Sequence, residues 1–469
     1  MREGALHAQA RFTDGHTTRK DDNMKRIGIR LDAVAGGVLA AALALAADPA
    51  LAVDIKFRSF SGSAAIGPPA DAYSAKLESI TETALGDAGE VRFVKLAGIP
   101  AIPAQFGGNI VAAVGAGAAG GGFDAAYNSG SELNKAWGFI YNSGVPFGPT
   151  FDEFMGFLYG KSVEGGKTGL ELIQEILDLN SRNVVAIPIV GSTEQLSGYF
   201  PEPMASVRGR RGIGLEGLCQ QPWTLRYLPP GENVLGQACD DLVASGDIPA
   251  KNIKFIAAIP GGGSLVSAVK AGSLQGFEFA TPLDDVSQLF NTADNPGTVG
   301  VRFVHLPGWQ QQFLVTWMII NKPVWNSLTL AQQVLVQSVA RDHLISSYGE
   351  NLRQQGPALD YILNANKEDE DPENDMVLVE WPKRDQERLR DSTIRFLNAR
   401  ANDTTLTATD RADFVRILEA LRKYVAANDR YFDHRQVRTQ LRFEDWASAL
   451  GECWEAKCKP ARCEHGHRR

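Results

Sequence analysis

The chain has 469 residues, enough for two or three domains at roughly 100–200 residues each. Apolar residues make up 44% of it and charged residues 22%, a balance that supports an ordinary globular core. The formal net charge of −8 argues against broad affinity for nucleic acid or anionic lipid, so an anionic ligand would need a local cationic anchor.

In chain order, Lys25, Arg26 and Arg30 follow Met24 and precede the Ala/Leu/Val-rich run Ala33–Ala47. Pro49 and the small-x-small triplet Ala50, Leu51, Ala52 come next. This is the order of parts in a secretory signal peptide. The run is 15 residues, short of the ~20 that a permanent membrane helix needs. Residues 1–52 are therefore expected to be a polar upstream segment (1–23) and a signal peptide cleaved after Ala52, which places the mature chain in the periplasm.

From Val53 the pattern alternates. Val53, Ile55, Phe57 and Phe60 read as a strand. Ala70–Thr83 has helical spacing, with Tyr73, Leu77 and Ile80 on one face, and Val91–Val94 reads as a second strand. Val184–Ile189, Trp223–Leu228 and Ile253–Ile259 continue the strands. Asn233–Ala244 and Ser264–Ala271 continue the helices. Such alternation predicts α/β layers with mainly parallel sheets. Beyond Trp325 the character changes to long helices, Leu328–Leu363 and Pro382 to about Ala426, separated by the acidic stretch 367–375 and a short strand at Val377–Val379.

Gly115, Gly117 and Gly120 fit the spacing G-x-G-x-x-G, the basis of one alternative: an exported nicotinamide-dependent oxidoreductase. The triplet lies inside a Gly/Ala run, and Glu132, at the distance where a ribose-binding acid belongs, does not sit at a strand end. A helix end followed by a tight turn is the better reading. Gly261–Gly263 lacks the Lys-Ser/Thr of a phosphate loop. Cys453, Cys458 and Cys463 recur every five residues with His465 and His467 behind them, a spacing unlike that of most zinc sites. No G-x-S-x-G or H-E-x-x-H motif occurs, so no enzymatic activity is expected. Cys219 precedes the strand that carries Arg226, and Cys239 lies on the helix after it. In an oxidising compartment the two are expected to pair, closing a loop of about 20 residues.

Five segments carry a resemblance: GVPFGPTFDEFMGFLYG (Gly144–Gly160), GSTEQLSGYF (Gly191–Phe200), WTLRYLPPGENVLGQA (Trp223–Ala238), GGGSLVSAVKAGSLQGFEFATPLDDV (Gly261–Val286) and PGWQQQFLVTWMIINKPVWNSL (Pro307–Leu328). In this order they resemble the extracytoplasmic solute-binding subunits of TRAP (tripartite ATP-independent periplasmic) transporters, in the branch associated with 2-oxo and other monocarboxylic acids. The resemblance covers about residues 53–440. It implies an α/β fold of two domains with a ligand cleft between them, of periplasmic binding protein type with a long connecting helix. Domain I would comprise 53–190 and 282–325, domain II 191–281 and 326–440, with 441–469 a C-terminal tail.

The resemblance also implies roles. Arg226 matches the arginine that grips the ligand carboxylate, and a guanidinium suits that task because it offers two parallel N–H groups and stays charged when buried. Gln195 and Glu278 match positions contacting a metal ion, and their oxygens suit Ca²⁺ or Na⁺ bridging to the ligand. Phe279 stands where the branch usually carries tryptophan, and Tyr127 is similar to an aromatic lining the cleft. The implied partners are a small organic acid and the membrane permease subunits of a TRAP transporter, with no nucleic acid and no required cofactor. A binding protein feeding a sensor kinase is the other alternative.

Overall fold

Strand alternation sets the layers of this molecule. Its structure, a computed structural model, describes residues 51–59, 67–96, 102–256, 262–292, 295–296, 301–364 and 375–435. Residues 1–50 of the expected signal segment, residues 367–374 of the acidic stretch, Gly261 and the Cys/His tail lie outside these residues. Among the described residues the strands are β1 (Val53–Ser59), β2 (Val91–Lys95), β3 (Ala125–Ser129), β4 (Val184–Ser192), β5 (Gly198–Phe200), β6 (Thr224–Arg226), β7 (Lys254–Phe255), β8 (Gly276–Phe277), β9 (Asn291–Thr292), β10 (Asn295–Pro296), β11 (Phe303–Leu306), β12 (Leu314–Asn321) and β13 (Val377–Glu380).

The first sheet has the order β2-β1-β3-β12-β4, with β1 parallel to β2 and β3, and β12 antiparallel to both of its neighbours. Both faces are covered, which explains why β12 is mostly apolar, with Thr316 and Asn321 as its polar members, rather than alternating. Its Trp317 and Ile319 pack with helices Phe151–Tyr159 and Gly169–Leu179. Met318 and Ile320 pack on the opposite face with Tyr73, Leu77, Val336 and Ala340. Both helices on the first of these faces begin with a capping box, Thr150/Glu153 and Thr168/Glu171, which satisfies their first free N–H groups.

The second sheet has the order β13-β11-β5-β8-β6-β7 and is layered in the same way. Leu225 and Tyr227 face helices Gly214–Gln220 and Gly231–Ser245, while Tyr199, Phe277 and Val304 face helix Gly263–Lys270. The expected disulfide is present: Cys219, in the last turn of the first of these helices, bonds Cys239 on the second, with Cα atoms 5.4 Å apart.

Three segments join the sheets: β4 to β5, β11 to β12, and the 35-residue helix Leu330–Asn364. The two strand crossings touch backbone to backbone. A Cβ on Gly308 would fall 1.8 Å from the carbonyl oxygen of Gln195, so only glycine fits there. The domain limits differ from those read in the sequence. β11, within 282–325, pairs with β5 and β13 in the second sheet. The first half of the long helix packs on the first sheet, and Phe414, Ile417 and Leu421 of helix Ala408–Arg435 enter the first domain's core. An amphipathic helix carries no mark of which sheet it will cover, so the sequence of 326–440 reads as one block although its helices divide between the two sheets.

The glycine fingerprint is a helix end. Ile110–Ala116 stops at Gly117, whose φ of 66° favours glycine. Gly115 lies within this helix, where a dinucleotide site requires a strand to precede the triplet, and Gly120 ends a single 3₁₀ turn, Ala118–Gly120.

Candidate functional site

β6 and β8 are parallel neighbours, with Arg226 in register with Phe277. Their carboxyl ends therefore project the next side chains into the same crevice, the usual location of ligands in open α/β sheets. Arg226 and Glu278 meet there. The Arg226 Nη1 donates to the Glu278 carbonyl at 2.6 Å and to its Oε1 at 2.7 Å. The same Oε1 accepts the Leu228 N–H at 2.8 Å. Arg226 is 5% exposed and Glu278 2%, so water screens neither. Burial pushes the Glu278 carboxyl above the usual range, against the pull of Arg226 and the Leu228 amide.

The pair leaves one edge of the guanidinium uncommitted. Both bonds use Nη1, and the buried Nε has no hydrogen-bond partner. Phe279 lies against the same group, with the guanidinium carbon 5.8 Å from the ring centroid. Gln195 enters from the first crossing. Its Nε2 donates to the Phe279 carbonyl at 3.2 Å, which turns Oε1 away from that carbonyl. Arg226, Glu278, Phe279 and Gln195 are thus assembled at one place from three separate segments.

Tyr127 is not brought to them. It is fully buried on the face of the first sheet that packs under the long helix, and its hydroxyl hydrogen-bonds Thr316 Oγ1 at 2.8 Å. Alternation along β3 decides this: Ala125 and Tyr127 point to one core and Ala126 to the other.

The second crossing supplies groups that the sequence analysis did not single out. Trp309 is 1% exposed, stacks between Phe147 and Tyr227, and its Nε1 lacks a partner. Gln310 donates to the Leu196 carbonyl at 2.8 Å while its Oε1 is unpartnered, and Gln311 Nε2 is likewise unpartnered. The legible signal was the run Trp-Gln-Gln-Gln between two apolar strands. A cavity of about 390 Å³ opens at these crossings, lined by Gln195, Glu194, Thr193, Gln312 and, from the long helix, Tyr348 and Gln355. Beside it, Asp285 is fully buried, accepting from Tyr199 Oη at 2.6 Å and the Ala280 N–H at 3.1 Å. Burial holds its carboxyl well above the ordinary range.

The architecture is that of the TRAP periplasmic solute-binding proteins: two α/β domains joined by crossing strands and a long helix. Among solved structures, a TRAP transporter solute-binding protein from Bordetella bronchiseptica, with calcium and picolinate in its active site, matches at 16% identity and a TM-score of 0.59. The match covers 82% of this chain and 95% of that one. A TRAP periplasmic solute-binding protein from Colwellia psychrerythraea, with calcium and pyruvate, matches at 15% identity and 0.57 over 82% and 99%. One from Pseudoalteromonas atlantica, with sodium and pyruvate, matches at 15% identity and 0.56 over 81% and 98%. No protein-family model and no curated protein matches the chain. At these identities the likeness establishes the fold. Among the described residues, no helix is long and apolar enough to cross a membrane.

Proposed function

We propose that this protein is an extracytoplasmic solute-binding subunit of a TRAP-type transporter. It captures a small monocarboxylic or 2-oxo acid by cleft closure and delivers it to a membrane permease, without chemical turnover. The observation that carries the reading is the buried Arg226, fixed through Nη1 by Glu278, with its Nε edge unpaired. An unsatisfied buried donor is costly, and a carboxylate set against the Nε/Nη2 edge would supply two charge-assisted hydrogen bonds. Glu278 meanwhile prevents the arginine from turning toward other partners.

The donor set also suits a hard cation. Gln195 Oε1, the second oxygen of Glu278 and the Phe279 carbonyl are neutral or anionic oxygens of the kind that Ca²⁺ and Na⁺ take. The Phe279 carbonyl is backbone, so phenylalanine in place of tryptophan costs no cation ligand. A bound ion would bridge to the acid and offset the charge of Glu278. That some relatives of the same fold hold calcium or sodium beside picolinate or pyruvate supports this arrangement.

Calorimetric titration of the exported protein with pyruvate and other small monocarboxylates tests the reading. Saturable binding without product formation is expected, and Arg226→Lys should weaken it by about 1.5–3 kcal/mol, since lysine keeps the charge but loses the fork. Unchanged affinity in that variant would remove Arg226 from the site.

A further inference from the structure

A second cavity, of about 640 Å³, lies between the two domains on the long helix. The first domain contributes Pro69 and Ala72, and the second contributes Leu283, Asp284 and Ser287. The floor is formed by helix residues from His343 to Gln354. Among the described residues no arginine or lysine lines it, in contrast to the Arg226 site.

Its hydrogen-bonding groups are unequally spent. The hydroxyls of Ser287, Ser346 and Ser347 all donate to main-chain carbonyls, those of Asp284, His343 and Leu344. His343 uses its Nε2–H on the Pro69 carbonyl at 2.8 Å, which leaves Nδ1 as an acceptor, and burial keeps the imidazole neutral by lowering its pKa. Among the described lining residues, unspent side-chain N–H groups remain only on Asn351 and on Gln354, whose Nε2 already donates once to Glu350 at 2.6 Å. What the walls offer is mainly lone pairs. Foremost is Asp284: the residue is 3% exposed, Oδ2 accepts from Thr281 Oγ1 at 3.0 Å, and Oδ1 has no partner. Glu350 at the rim is already paired with Arg353, so the unmet negative charge in the wall belongs to Asp284.

A buried carboxylate oxygen without a donor is costly to maintain. A ligand that relieves it must bring N–H groups and positive charge, with an apolar stem to lie against Pro69, Ala72 and Leu283. We infer that this cavity is a second binding site, for a small primary ammonium compound, anchored by Asp284 and contacting both domains. Its chemistry is opposite to that of the Arg226 site, so the two would not compete for one ligand. Because the walls come from both domains, occupancy would bias their closure and hence the affinity for the acid.

The test uses the full exported protein and n-butylammonium as probe, with pyruvate titrated on the same samples. Butylammonium should bind saturably, whereas tetramethylammonium, which lacks N–H donors, and butyrate should not bind in this cavity. Asp284→Asn should lower butylammonium affinity roughly tenfold or more, the factor expected for about 1.4 kcal/mol. Ser346→Lys places a competing ammonium at an exposed helix position and should abolish the binding, which keeps the idea testable should Asp284→Asn fold poorly. Arg226→Lys should lose pyruvate affinity and keep butylammonium affinity, which separates this site from the acid site. Absence of saturable butylammonium binding, or equal affinity in Asp284→Asn, overturns the inference.

Discussion

The two domains are built alike but charged differently. Each is a sheet covered on both faces by helices, yet the buried polar residues on the first sheet are neutral: Ser59, Ser192, Thr316 and Asn321. Among the described residues, the second domain buries Arg226, Glu278, Asp284, Asp285 and Asp385, with His305 held neutral, whereas the one acidic or basic side chain buried against the first domain's helix is His343. An interior ion costs several kcal/mol unless it is paired, so such groups cluster where a function or a network retains them. In the proposed function, the first domain is the largely neutral wall that would close on a ligand. The second holds the chemistry, and the disulfide Cys219–Cys239 braces the two helices beside the strand that presents Arg226.

That contrast can be broken in order of expected effect. Trp317→Ala should cost about 3–5 kcal/mol of stability, because the side chain is fully buried in the first core and its Nε1 donates to the Tyr141 carbonyl. Ligand affinity of the folded fraction should be unchanged, as chemical denaturation and titration on the same sample would establish. Replacing both cysteines by alanine should cost roughly 3 kcal/mol for a loop of this length, measured as the shift in denaturation midpoint. Peptide mapping without reductant should recover Cys219 joined to Cys239.

Glu278→Gln should invert the Trp317 result. Glutamine can still accept from Arg226 and Leu228, so the fold should survive, but the anionic oxygen is gone. Acid affinity should fall by about 1.5–3 kcal/mol, and a chelator should produce a similar loss in the native protein. Equal affinity with and without chelator would leave Arg226 and neutral hydrogen bonds as the whole of the site.

The effect that is smallest per step, and builds only as pH falls, is a pH slope. His305 accepts the Met204 N–H at Nε2, 3.1 Å away, and Nδ1 donates to the Phe303 carbonyl, so a second ring proton has no place. Burial pushes its pKa down to about 3. The unfolded chain takes up that proton near pH 6.5, so stability from this residue is present above pH 6.5 and falls as pH drops toward 3. The slope is about 1.4 kcal/mol per pH unit. Buried acids such as Asp284, raised to about 6, act in the opposite sense, so the readout is the difference in slope between native protein and His305→Asn. Parallel slopes would show that His305 is protonated or solvated in the fold.

Much of this organisation was legible in one sequence. Alternating apolar spacing placed β1, β2, β4 and the helices near 70–83, 233–244 and 264–271 within a few residues, because periodicity is a local property of the chain. The pairing of the two core cysteines followed from the expected export, from there being only two in that region, and from their positions beside one strand. The motif segments singled out Arg226, Gln195 and Glu278. What local pattern could not decide is which groups meet. Tyr127 has the composition of a cleft aromatic, but one step of strand alternation turned it into a core. β11 and helix Ala408–Arg435 took partners on the sheets opposite to those that contiguity suggested. The unpaired edge of Arg226 and the bare oxygen of Asp284 were invisible for the same reason. A hydrogen bond left unmade is a property of packing among distant segments, and only the tertiary structure determines it.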